Sequence, residues 1–230
     1  MPRKPRGTDG WLKVSNGGIP PEFLQNPLPD SKPDLERAIC AGARRGQEFQ
    51  KLNPWRIEKE PRQLEENSLD FELETPSGVE YLDLVEFAPL TGRKGGYEGL
   101  PKTQQVGQLT DAVIRLVDQK ANRYGPNRRA VVHLLLYSTD FRLHLNPTVV
   151  LLLKVVMRRD CHGFRTISHY VPIDEVAGEY TLLYPSPGGV PYVNQSAERD
   201  LRARTWTNLD MREFRSTDDG QGAFIELPKG

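Results

Sequence analysis

The chain predicts an α/β fold, three layers deep, with a mixed central sheet flanked by helices, and three stretches carry that expectation. Leu69 to Phe87 alternates apolar and polar residues on either side of Pro76-Ser77-Gly78, the pattern of a hairpin covered on one face. From Gln104 to Tyr124 apolar residues recur at helical spacing, through Val106, Leu109, Val113, Leu116 and Val117. Ala130 to Ser138 is a near-continuous apolar run, as expected of a central strand covered on both faces. Hairpin, helix and strand in this order require a crossover, which makes the last strand parallel to a neighbour.

Taken in order, residues 1–33 are rich in Pro, Gly and polar residues and read as an irregular N-terminal arm, with a basic Pro2 to Arg6 cluster. A helix follows from about Pro33 to Leu52. Pro33 suits its first turn, Asp34 and Glu36 favour its positive end, and Leu35, Ile39, Ala43 and Phe49 fall near one face, while Gly42 and Gly46 weaken it. Trp55 to Glu60 alternates, ends at Pro61 and reads as a first strand.

Beyond the hairpin lies a Gly-rich loop, Thr91 to Gly99, without the Lys-Ser/Thr pair or the spacing of a nucleotide-binding loop. Its Arg93, Lys94 and Tyr97 are suited to contact with a polyanion. Asn146 and Pro147 cap a second apolar helix to Arg159, then Phe164 to Ile173 and Glu179 to Tyr184 read as strands. The α/β domain thus spans 34–184, and 185–230 reads as an irregular extension with a short helix near Ala197 to Arg204.

Lys plus Arg and Asp plus Glu are both 31, so no global field argues for or against nucleic acid. No apolar run approaches the roughly 18 residues of a membrane span, and no signal peptide follows the basic start, so a cytoplasmic protein without membrane contact is expected. Cys40 and Cys161 have no partner at metal-ligand spacing and read as reduced thiols. His133, His144, His162 and His169 lack ligand spacing and read as structural.

With a loop at Ser77-Gly78-Val79, Phe71 faces Val85, Leu69 faces Phe87, and Asp70 falls opposite Glu86. Two such carboxylates repel unless a cation or proton lies between them, which points to a divalent metal; their alternative is to face water. Lys120 interrupts the apolar face of the 104–124 helix. Either it snorkels to the rim or its ammonium reaches the carboxylates.

Helix, three antiparallel strands, crossover helix and parallel strand resemble the PD-(D/E)XK nuclease superfamily, the restriction-endonuclease-like fold, over about residues 34–175. In that family an Asp begins the second strand, an Asp or Glu follows on the third, and a Lys lies two residues later. Asp70 in Leu69-Asp70-Phe71 matches the first acid and Glu86 in Val85-Glu86-Phe87 the second, with Asp83 as the alternative acid. Ala88 stands at the lysine position, and Lys120 resembles the lysine that some branches carry on the following helix.

The resemblance implies Mg²⁺ or Mn²⁺ on Asp70 and Glu86, catalysis by these two and Lys120, DNA as substrate for an endonuclease or exonuclease, and room for a homodimer. A catalytically inactive member that binds nucleic acid or protein is the alternative. A structural protein whose arms wrap a neighbour is a third.

Overall fold

The computed structural model describes residues 6–13, 22–65, 69–88, 103–160, 162–174, 176–186, 189–207, 214–216 and 223–225. The Gly-rich loop with Arg93, Lys94 and Tyr97, the bulk of the Pro2 to Arg6 cluster, and Cys161 lie outside them.

Strands β1 (Arg6–Lys13) and β2 (Glu22–Pro27) pair antiparallel, so the N-terminal arm carries a hairpin where its prolines predict irregular chain. Helix α1 (Lys32–Phe49) starts at Ser31, whose hydroxyl accepts from the Asp34 N–H, with Pro33 in the first turn as expected. Ile39, Cys40 and Ala43 face the sheet, whereas Phe49 is 89% exposed, contrary to the face assigned to it.

Gly42 and Gly46 let α1 lie close to the sheet. A Cβ at Gly42 would stand 2.1 Å from the Tyr170 hydroxyl, and one at Gly46 would stand 2.6 Å from Tyr180 Cβ. The expected strand at Trp55 to Glu60 does not form. Arg56 is in the left-handed region (φ 48°), which an extended strand excludes, and Trp55 supplies the apolar signal by plugging the core as a loop residue. The first sheet strand is instead β3 (Arg62–Gln63).

Next come β4 (Phe71–Thr75) and β5 (Gly78–Glu86). Their register differs by three positions from the expected one: Phe71 pairs with Leu82, Leu73 with Glu80 and Thr75 with Gly78. The loop is therefore Pro76-Ser77, closed by Gly78 at φ 112°, the positive-φ position that glycine favours. Thr75 Oγ1 ties the turn, donating to the Gly78 carbonyl at 2.9 Å and accepting from the Ser77 N–H at 3.2 Å.

After β6 (Thr103–Gln105), helix α2 (Val106–Arg123) and short α3 (Pro126–Arg129) lead to β7 (Val132–Tyr137), buried along its whole length. Helix α4 (Pro147–Arg159) is capped by Asn146, whose Oδ1 accepts from the Thr148 and Val149 N–H groups at 2.9 and 3.1 Å. Then follow β8 (Thr166–Pro172), β9 (Gly178–Tyr184), α5 (Gln195–Ala203), β10 (Thr205–Thr207), β11 (Phe214–Ser216) and β12 (Ala223–Ile225).

The main sheet runs β3-β4-β5-β7-β8-β9, with β5, β7 and β8 mutually parallel and the remaining pairs antiparallel. One core lies under α1, around Trp55, Phe71, Leu82, Leu135 and Tyr170. The other lies under α2 and α4, around Val85, Phe87, Val113, Val117, Leu134 and Leu152. The chain is thus a mixed α/β fold with a six-stranded mixed sheet between helices.

The C-terminal extension is also more ordered than expected. Its β10 pairs with β6, and Arg202 of α5 reaches Asp111 of α2 at 2.7 Å while Glu198 takes Arg159 of α4 at 2.7 Å. No helix among the described residues is long and apolar enough to cross a membrane.

Candidate functional site

Asp70 immediately precedes β4 and Asp83 follows Leu82, so the next step of the ladder sets Asp70 beside Asp83 and not beside Glu86. The expected pairing fails because β5 is sandwiched between β4 and β7 and buried on both faces. Leu82 and Leu84 enter the α1 core while Val85 enters the α2 core, so hydrophobic alternation does not select its register.

Asp83 is 3% exposed and held by two donors, one from α2 and one from the residue that caps it. Lys120 Nζ lies 2.9 Å from its Oδ2 and 3.2 Å from its Oδ1, and the Tyr124 hydroxyl donates to Oδ2 at 3.0 Å. The ammonium of Lys120 therefore reaches Asp83, the alternative acid, and not the Asp70–Glu86 pair to which the sequence reading assigned it. Burial, then the Asp83 charge and the hydrogen bond it accepts, raise the Tyr124 hydroxyl pKa above its usual range. The ring is fixed edge-on to Phe164, with an interplanar angle of 90°.

Asp70 Oδ2 accepts from the Leu84 N–H at 2.6 Å. Burial, reinforced by the charges of Asp83 and Glu36, pushes its carboxyl up to about 6 against the lowering effect of that hydrogen bond and of Lys120. Glu86 stands elsewhere: its Oε1 accepts from the Thr139 hydroxyl at 2.9 Å. All four sequence-selected residues nevertheless line one pocket of about 720 Å³. Glu36 and Glu65 add two more carboxylates, and Lys32 and Arg123 join Lys120 as cations, so five acids face three bases.

Sequence reasoning missed Tyr124 as a ligand of Asp83 and Glu36 as a neighbour of Asp70. The signal for Tyr124 was its position one turn beyond Lys120 on the same helix face. Glu36 carried a signal only as a first-turn acid, which the helix dipole already accounts for.

A second polar constellation lies on the α1 side of the sheet. His133 Nε2 is 2.7 Å from Glu80 Oε2, and its Nδ1 is 2.8 Å from Thr166 Oγ1. Burial lowers the imidazole pKa, and the hydrogen bond from His133 lowers that of Glu80. A neutral ring donating from Nε2 to the carboxylate and accepting at Nδ1 satisfies both. Hydroxyl, imidazole and carboxylate in line resemble a hydrolytic relay, but His133 is wholly buried and Thr166 nearly so; no substrate reaches them. The network pins β5, β7 and β8 together. His169 is likewise buried, 2.8 Å from the Ser138 hydroxyl, with its pKa pushed down to about 3 by burial. Both histidines are held inside the sheet by buried polar partners.

Among the described residues, no group of three or more His, Cys, Asp or Glu side chains is arranged to hold a metal ion. The donor set at Asp70 and Asp83 still fits a hard divalent cation, since Mg²⁺ is commonly held by one or two carboxylates with waters and substrate phosphate completing its shell. Burial raises the Asp70 carboxyl first and the Asp83 and Glu36 charges add to it, and a cation would relieve that second contribution. No family profile, curated protein or solved structure matches this chain.

Proposed function

We propose that the chain is a restriction-endonuclease-like, metal-dependent nuclease that hydrolyses phosphodiester bonds of DNA, with Asp70, Asp83 and Lys120 as its working residues. The observation that carries this reading is the ammonium of Lys120, 2.9 Å from an acid that itself neighbours Asp70 across a hairpin. The order α1, β3, β4, β5, crossover helix α2, parallel β7 supports it.

Asp70 and Asp83 would hold Mg²⁺ or Mn²⁺, which lowers the pKa of a bound water and neutralises charge on a phosphate. Asp83 keeps Lys120 at the pocket, where the ammonium stabilises developing charge on the scissile group. Burial of Asp83 and the partial burial of Asp70 lower the local dielectric and strengthen these interactions.

Cleavage of linear, circular and single-stranded DNA with Mn²⁺ or Mg²⁺ tests the reading. Asp70→Ala, Asp83→Ala and Lys120→Ala are each expected to lower the rate by about 10²-fold or more. Glu86→Ala is expected to lower it less, because Thr139 and not the acid pair holds Glu86. A wild-type protein that cuts nothing refutes catalysis. It would leave the second reading, a catalytically inactive binding module, which Ala88 at the usual lysine position favours.

A further inference from the structure

Several arginines of the domain are spent on carboxylates, among them Arg62 on Glu72 at 2.7 Å, Arg142 on Asp140 at 2.8 Å and Arg159 on Glu198 at 2.7 Å. Two on either side of Tyr124, the partner of Asp83, are not. Arg123, in the last turn of α2, is exposed and lines the pocket mouth, and Arg128 of α3 is exposed with its guanidinium carbon 5.4 Å from the Tyr124 ring centroid. Neither has a carboxylate partner among the described residues. Tyr124 links them to the centre, since its ring carries Arg128 and its hydroxyl bonds Asp83.

We propose that Arg123 and Arg128 form a ledge that binds the phosphate backbone of a DNA strand and leads it to the Asp70–Asp83 pocket. The inference rests on the nuclease reading and gives its substrate a docking path. The charge pattern favours such a path: acids outnumber bases five to three in the pocket lining and repel a polyanion, so further cations beside it would hold the strand. Arginine suits the task because its planar fork of donors takes a phosphate bidentately. An Arg128 lodged over an aromatic face has also lost part of its rotamer freedom before the strand arrives, which lowers the cost of ordering it. The competing role for both residues is to complement the negative ends of α2 and α3.

The test uses the full chain with EDTA present, so that binding of a fluorescent DNA oligomer is read without cleavage across a salt series. Arg123→Gln, Arg128→Gln and the double variant are compared with Lys154→Gln/Arg158→Gln, which removes the same charge from α4. The double variant is expected to bind at least about tenfold more weakly, with the slope of log K against log salt shallower by about 2. In Mn²⁺ its KM rises while kcat is kept. Equal behaviour of the two double variants overturns the ledge, as does a lowered melting temperature with affinity unchanged, which would leave the dipole role alone. A wild type that cleaves DNA while the arginine variants match it refutes this inference only. A wild type that neither binds nor cleaves refutes the nuclease reading and the ledge with it.

Discussion

Asp70 is the residue whose protonation the structure perturbs most usefully. Its folded-state pKa, about 6, lies above that of a carboxyl in an unfolded chain, so the fold holds this proton more tightly and ionisation costs stability. Stability therefore falls as pH rises from about 4 through 6 and levels off above that. Asp70→Asn escapes the loss. In metal-free buffer at pH 7.5 it is expected to be more stable than the wild type by on the order of 1–2 kcal/mol, discounted for partial exposure, with the difference vanishing near pH 4 in chemical denaturation. Mn²⁺ should narrow the gap by stabilising the wild type alone. The opposite sign is expected at His133: substitution by Phe leaves Glu80 buried without its nearest donor and costs about 3 kcal/mol by the same measurement. At this scale the sequence paired Asp70 with Glu86 and kept Asp83 as the alternative, whereas the ladder sets Asp70 beside Asp83. The clue lay in the turn: Gly78 sat awkwardly inside a three-residue loop and fits naturally as the residue that closes a two-residue one.

Elements with strong local signals were the legible ones. Pro33, Asn146 and Pro147 marked helix starts that the structure reproduces within a residue or two, and the unbroken apolar run of β7 announced a strand buried on both sides. Trp55 to Glu60 was misread because one buried aromatic in a loop mimics half an alternation. Gly42 and Gly46 were read as weaknesses of α1, and the packing inverts that judgement. Alanine raises helix propensity by about 1 kcal/mol, yet Gly42→Ala drives a methyl into the Tyr170 hydroxyl and is expected to be destabilising by about 1–3 kcal/mol net. Gly42→Ala combined with Tyr170→Phe should recover part of the loss, and thermal unfolding of the three variants decides. Full additivity of the two substitutions would mean that the contact does not limit the approach of α1.

Across the whole molecule, the sequence conveyed the order of layers but not the attachment of the ends. The central strands β5, β7 and β8 draw on both cores, whereas β1 and β2 stand in a two-stranded sheet of their own. Hydrogen exchange is accordingly expected to be slowest in β7 and fastest in the β1–β2 pair, with β9 between them. The Arg202, Asp111, Glu198 and Arg159 cluster that fastens α5 ties it to residues 91 and 39 positions away, which is why no local pattern revealed it.

The two acids ride on the sheet while the lysine rides on α2, so their mutual alignment is a property of the core between those elements. Val113 and Val117, both fully buried, act as shims that set how far the helix stands from the strands. A protein whose acids and lysine share one strand would keep their spacing through such repacking; this one would not. Trimming a shim, as in Val117→Ala, should therefore impair cleavage well beyond what its melting temperature foretells, since about 1 Å of misplacement can cost 10²-fold in rate. Wear in the core would show as lost chemistry before it shows as lost fold.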